Sequence, residues 1–446
     1  MKKMKKILVL LLAFILTISV FAGCGAKSTP AAGSSSAPAA SGGSGEPADT
    51  PAEPANTDPL KVGAIFPLSG GNALLGSQCL AGIQIAVDFV NEAGGVQGRQ
   101  IALTEADAPD PTAATTEASR LIDQQGVEII FGSLASGNAL AIAGVTEKSG
   151  ITLVEAGGIA NELTNSGFQH AFRIIDSGGL RGGKGVEYVG DVLAPMLGIP
   201  VNELKVAIIH EESSYGTGVA DGAEAQAKAM GMQVVLRESY NTSITDMSAM
   251  VLNLKKEKPD VLFTANYVND AILLVDTLRQ YDAMPKVMMG CGAGTTSTEF
   301  ASTIGPDSDG IFCTDMPTNL PITAFDSDPE LKATVQAFRD RMLAEFPDLS
   351  TVPVAAEAAF AGAYTFLHNV LPNAKTLDSA GIREAAIATD VPLTALGFGW
   401  DVDETGQNQS ARANINQWQD GAVQTVYPEA LKTADVINVP LPIAAK

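Results

Sequence analysis

The chain has 446 residues, of which 46% are hydrophobic, and a formal net charge of −22. It is too long for one small domain and can bury a large core, so two lobes are expected. The acidic balance, with no Lys/Arg-rich stripe beyond residue 6, argues against a nucleic-acid-binding surface.

Lys2, Lys3, Lys5 and Lys6 precede an apolar run of 14 residues, Ile7–Val20. That is shorter than the roughly 20 residues needed to span a bilayer and reads as a secretory signal. It ends in Val20-Phe21-Ala22-Gly23-Cys24, which resembles the lipobox of bacterial lipoproteins, with Phe21 where Leu is usual. The resemblance implies a signal peptide over 1–23, cleavage before Cys24 and lipidation of its thiol. Loss of the lysines takes the charge from −22 to −26. Gly25–Pro59 is rich in Ala, Ser, Gly and Pro and poor in aromatic and branched residues. Such composition cannot offset the entropy of ordering, so 24–59 is expected to be a flexible tether.

From Leu60 the pattern alternates between strand and helix. Strands are predicted at Lys61–Phe66, Gln100–Glu105, Val127–Phe131, Ile151–Glu155 and Ala171–Ile175, with helices at Ser77–Ala93 and Pro111–Gln125. In Ile129–Gly144 a buried strand end runs into a Gly/Ser/Asn turn and then an Ala-rich helix. A helix start at the carboxyl edge of a parallel sheet favours an anion. A second series follows. Its strands are Lys205–His210, Gln233–Ser239, Asp260–Thr264, Lys286–Gly290 and Gly310–Thr314, and its helices are Gly185–Leu197, Thr217–Met230, Met247–Lys256 and Asn269–Tyr281. Later helices are predicted at Pro329–Phe346, Val354–Leu371 and Leu377–Thr389, and an antiparallel tail over Trp400–Val426. Strand–helix alternation implies parallel sheets with right-handed crossovers.

Several motifs have plain readings. Gly178–Lys184 (GGLRGGK) matches part of a P-loop, but Gly185 stands where Ser or Thr would hold Mg²⁺; a hinge suits its glycines. Asp401–Gly406 resembles half a calcium loop, yet Arg412 occupies the place of the bidentate Glu, so a β-turn is expected. Gly290–Gly294 lacks dinucleotide-binding spacing. His170, His210 and His368 lack metal-ligand spacing, and no nucleophile elbow is present in the folded part. No metal, cofactor or catalysis is therefore expected. Cys79 reads as a buried small hydrophobe, and Cys291 and Cys313 follow consecutive strands and could pair. Tyr215 and Tyr267 each lie just beyond a strand of the second series, which suits closing over a polar-headed ligand.

The segments Lys61–Ile101, Asp110–Ile122, Ile129–Gly137, Ala160–Ile174, Ile208–Gly218 and Phe398–Gln407 resemble, in order, the substrate-binding proteins of branched-chain amino acid ABC transporters. The resemblance implies the type I periplasmic-binding-protein fold, two Rossmann-like α/β lobes joined by three crossover segments. Lobe 1 is expected over 60–178 and 317–398, lobe 2 over 179–316 and 399–446. By resemblance, Ser136 with Gly137 holds a ligand carboxylate, Gly158 offers a backbone contact, Tyr215 and Tyr267 close from the second lobe, and Leu75 replaces a Trp over the ligand side chain. Ile159 replaces a Thr, Gly292 a Glu that holds the ligand ammonium, and Pro109 and Ala135 a Cys pair. Because a buried ammonium needs an anionic partner, Glu155, Asp270 and Glu357 are candidates to compensate.

The expected function is an extracytoplasmic receptor, lipid-anchored to the outer face of a bacterial cell membrane. It would capture an amino acid-like, amide or carboxylate ligand for ABC permease subunits. The alternatives are a ligand sensor of the same fold feeding a signalling receptor, and an α/β hydrolase.

Overall fold

Strands buried along almost their whole length build two main sheets. The computed structural model describes residues 58–317 and 319–442. The expected signal peptide, Cys24 and the tether as far as residue 57 lie outside the described residues. Strands β1 (Leu60–Phe66), β2 (Ile101–Asp107), β3 (Ile129–Gly132), β4 (Thr152–Glu155) and β5 (Ala171–Arg173) pair in parallel in the order β2-β1-β3-β4-β5. Strands β6 (Lys205–Glu211), β7 (Gln233–Tyr240), β8 (Val261–Ala265), β9 (Val287–Cys291) and β10 (Phe312–Asp315) make the parallel part of the second sheet. A short ribbon, β11 (Asp390–Val391) with β12 (Trp400–Asp401), precedes the hairpin of β13 (Asn414–Gln419) and β14 (Ala422–Tyr427). The hairpin joins β10 antiparallel, giving the order β14-β13-β10-β9-β8-β6-β7.

In β6, Val206 and Ile208 enter one core and Ala207 and Ile209 another; Val261 and Phe263 of β8 likewise face away from Leu262. The first sheet divides in the same way, with Ile129 and Phe131 on one side and Ile130 on the other. Each sheet is thus covered on both faces, as parallel sheets require.

The helices as far as the second sheet's first crossover are α1 (Ala73–Glu92), α2 (Pro111–Arg120), α3 (Ser136–Ser149), α4 (Glu162–Asn165), α5 (Gly178–Tyr188), α6 (Ala194–Leu197) and α7 (Ser214–Ala229). Beyond them lie α8 (Ser248–Glu257), α9 (Val268–Gln280), α10 (Ala293–Thr296), α11 (Thr298–Ile304), α12 (Pro329–Glu345), α13 (Val354–Thr365) and α14 (Ser379–Ala388). Side-chain caps start several of them: Asp110 accepts from Ala113 N at 2.9 Å and Asp328 from Leu331 N at 3.0 Å. Helix α1 is long and apolar enough to cross a membrane, but most of it is buried within the fold as a core helix.

The late helices α12 and α13 return to the first sheet, where Phe338 and Phe360 stack at 4.0 Å between centroids in the core of β1. The chain crosses between the sheets after β5, after β10 and before β13. Residues 400–408 stay with the first sheet: Trp400 Nε1 donates to Ala386 O at 3.0 Å and Arg173 Nε donates to Gln407 Oε1 at 2.9 Å. The second sheet regains the chain at Asn414.

The structure corrects the hinge reading, decides a cysteine pairing that the sequence leaves open, and adds two helices. Gly178–Lys184 is not a hinge loop but the first turns of α5, capped by Ser177 Oγ on Leu180 N at 3.3 Å. Its glycines serve close packing on α7: a Cβ at Gly182 would lie 2.1 Å from Val219 O, and one at Gly222 2.1 Å from Gly179 O. Cys291 and Cys313 are free thiols. Cys313 stands beside Gly290 in the β9–β10 ladder, and the two thiols enter different cores. Helices α10 and α11 are absent from the sequence prediction; Ser297 Oγ caps α11 at Phe300 N at 3.1 Å. At Asp403, Oδ1 accepts from Thr405 N at 2.8 Å and Thr405 Oγ1 at 2.6 Å, which makes the expected turn.

Candidate functional site

The carboxyl edges of the two sheets face a common cavity. From the first sheet it is lined by Leu134 and Ser136 after β3 and by Ala156, Gly157 and Ile159 after β4, with Leu75 of α1 and Val354 and Ala355 of α13. From the second come Tyr215, Asn266, Tyr267, Gly292, Gly294, Arg181, Asp315 and Met316. Past Leu75, Val354 and Ala355 the cavity opens into a wider cleft bordered by Thr296, Ser297, Thr351 and Trp418.

Ser136 is the first residue of α3. Its Oγ accepts from Ile159 N and Ala160 N, both at 3.0 Å, and so ties the loop after β4 to the loop after β3. A hydroxyl that accepts twice keeps its own proton to donate. The Tyr215 and Tyr267 rings lie 5.3 Å apart, at 53°. The Tyr215 hydroxyl donates to Cys291 O, with Asn266 O at 3.3 Å. Burial pushes both phenols well above their ordinary range, so they act as neutral groups. Gly292 has φ of +71°, and a Cβ there would lie 2.9 Å from Tyr215 Oη. The phenol thus occupies the space a side chain at 292 would need.

Of the sequence candidates, Leu75, Ser136, Tyr215 and Tyr267 share the cavity wall, whereas Gly137, Gly158, Glu155, Asp270 and Glu357 are not among its lining residues. Gly158 is drawn back by its N–H, which donates to Glu155 Oε1 at 2.7 Å. Gly137 lies one residue into α3, where a Cβ would meet Pro111 at 3.1 Å. The three acids hold the scaffold. Glu155 Oε1 also accepts from Ser133 N at 2.8 Å and Gly157 N at 2.7 Å. Asp270 Oδ2 accepts from the Tyr240 hydroxyl at 2.5 Å and Tyr267 N at 3.2 Å, fixing the start of α9, and burial raises its carboxyl. Glu357 pairs with Arg339 at 3.0 Å and accepts from Asn319 N at 3.0 Å. Glu211 does for the second sheet what Glu155 does for the first: it accepts from Ser213 N at 2.7 Å and Gly216 N at 2.6 Å.

The charged residues that do reach the cavity were missed. Arg181, in the glycine-rich start of α5, pairs with Asp176 and, at 2.6 Å, with Asp315; all three side chains are almost fully buried. Burial works against the guanidinium charge, but the two carboxylates outweigh it and raise the Arg181 pKa. Burial raises the Asp315 carboxyl, opposed by Arg181. Asp176 follows β5 and Asp315 ends β10, so the arginine fastens two of the three crossings together. The sequence signal is an arginine among glycines, in a segment that reads as a partial P-loop and a hinge.

The periplasmic binding protein family profile matches residues 59–422. The chain belongs to the periplasmic binding protein family. Among the relatives of this periplasmic binding protein is a Leu/Ile/Val-binding protein homolog 7 from Brucella abortus, 34% identical over 388 residues, covering 86% of this chain and 95% of that protein. A solved leucine-binding protein from Thermotoga maritima matches with a TM-score of 0.70 at 22% identity, over 82% of this chain and 97% of that one. A solute-binding protein from R. palustris, solved with benzoate, matches with a TM-score of 0.69 at 20% identity, over 86% of this chain and all (100%) of that one. These structures share the two-lobed type I fold.

Proposed function

We propose that this periplasmic binding protein is an extracytoplasmic receptor, anchored through a lipid on Cys24, that delivers a small organic ligand to an ABC permease. The observation that carries the reading is one cavity lined from the carboxyl edges of both sheets, with a helix-start serine on one side and two tyrosines on the other. Ser136 donates to a ligand carboxylate or carbonyl oxygen, Tyr215 and Tyr267 cover the ligand, and Leu75 packs against its apolar part. The wall is otherwise largely apolar, as small-molecule sites are. Ligand contacts both lobes, so binding favours the closed arrangement over the open one, and the permease reads that shape. The leucine-binding and benzoate-bound relatives support an amino acid-like or carboxylate ligand.

A thermal-shift screen of the full chain against amino acids, amides and aromatic or aliphatic acids tests the reading. At least one class raises the melting temperature, and Ser136→Ala lowers its affinity by about 10- to 100-fold, the loss of a charge-assisted hydrogen bond. Undiminished binding by Ser136→Ala, in a variant that still folds, removes Ser136 from the site.

A further inference from the structure

We propose that the ligand is elongated, and that its far end is a neutral group able both to donate and to accept, a carboxamide above all, held by Gln78 in the cleft beyond the cavity. The proposal rests on reading the cavity as the ligand site. Cavity and cleft are continuous, since Leu75, Val354 and Ala355 line both, and the cleft is the roomier of the two. Gln78 lies three residues along α1 from Leu75, which puts the two on one face of the helix. Helix α1 packs there on the start of α13, with Cys79 Sγ donating to Ala355 O at 3.5 Å. Gln78 therefore stands just past the apolar neck that leads out of the cavity, and it borders the cleft.

Gln78 is 3% exposed, and every other buried residue of α1 is apolar, glycine or cysteine. Its side-chain amide makes no hydrogen bond among the described residues. Unlike the sealed, unpartnered polar atoms of the core, it keeps contact with the cleft's solvent. A buried amide normally has partners in the protein, so this one is set to meet something that enters the cleft. Glu299 is the only charged residue bordering the cleft, and it is exposed. No cation is there to balance a second carboxylate, so the far end is neutral. An amide offers one carbonyl acceptor and two N–H donors, so a ligand carboxamide pairs with Gln78 in both directions. An apolar end displaces water from Gln78 and returns none of its hydrogen bonds, which loses affinity. Trp418, 1% exposed, has its Nε1 committed to Thr295 O at 2.7 Å and offers the cleft an apolar ring.

Calorimetric titration of the full chain with three matched trios tests this. Each trio shares a head group and differs at the far end, which is methyl, carboxamide or carboxylate: L-norleucine, L-homoglutamine and L-2-aminoadipate; hexanoate, adipamate and adipate; octanoate, suberamate and suberate. The expected result is that in at least one trio the amide-ended member binds about 10-fold tighter than both partners. In Gln78→Leu that member falls to the level of its methyl-ended partner. Methyl- or carboxylate-ended members that bind as tightly as the amides in every trio overturn the proposal and leave the receptor reading standing. So does an amide preference that survives in Gln78→Leu. The comparison within a trio uses the unaltered chain, so it decides the matter even where the variant fails to fold. Binding of none of these compounds also overturns the proposal, whereas the receptor reading fails only if the broader thermal-shift screen is empty as well.

Discussion

Glu155 gives the sharpest test of how the site is held. It ends β4, is fully buried, and one oxygen accepts backbone N–H groups from Ser133, Gly157 and Gly158 at 2.7–2.8 Å. These amides belong to the loops that carry Ser136 and Ile159 to the cavity. Glu155→Leu strands three buried donors, at about 1–3 kcal/mol each. Removing a buried carboxylate returns several kcal/mol of desolvation, the more so because Oε2 has no partner. The expected net loss is about 3–5 kcal/mol, a large share of a typical folding stability of roughly 5–15 kcal/mol. Glu155→Gln keeps an oxygen in place and loses only the charge assistance, so its expected loss is about 1–2 kcal/mol. Urea unfolding with a common m-value measures both. A Glu155→Leu variant within about 0.5 kcal/mol of the parent, inside the range of an ordinary surface substitution, refutes the reasoning. So does a glutamine variant weaker than the leucine one.

Gly292→Ala places a Cβ at positive φ and 2.9 Å from Tyr215 Oη, so a loss of about 1–3 kcal/mol is expected, together with weaker ligand binding as the phenol shifts; an unchanged melting temperature speaks against the crowding. His210 is held below its ordinary range, first by burial and then by Arg237, against the raising influence of Glu211 and Asp221. The unfolded chain then binds more protons than the folded one between the lowered value and 6.5, so stability is complete above that window and falls as pH drops through it. Melting curves from pH 8 to about 5.5 should show His210→Gln losing less than the parent across the range in which histidine titrates; parallel curves contradict the assignment.

The strand and helix order was legible because a short apolar run followed by a longer helical stretch repeats in each βα unit. The cavity positions of Ser136, Tyr215 and Tyr267 follow from the same logic, each being within a few residues of a parallel strand's carboxyl end. What sequence order hides is pairing across the chain. Arg181 and Asp315 are separated by 134 positions and meet only because two crossings run side by side. Glu155 and Glu357 stand out as acids in apolar runs, and Asp270 by its place three residues beyond Tyr267. All three are buried carboxylates that hold backbone amides, a tyrosine and an arginine, and none is among the lining residues of the cavity. The early start of α5 was missed because four glycines argue against a helix by propensity, whereas packing on α7 demands them.

Native mass spectrometry of the full chain, purified without refolding, tests the central claim most directly. The account predicts a population carrying one small organic molecule per chain, abolished by Ala355→Trp, which fills the cavity from α13. A bound molecule that persists in that variant, or a ligand-screened protein that never acquires one, contradicts it.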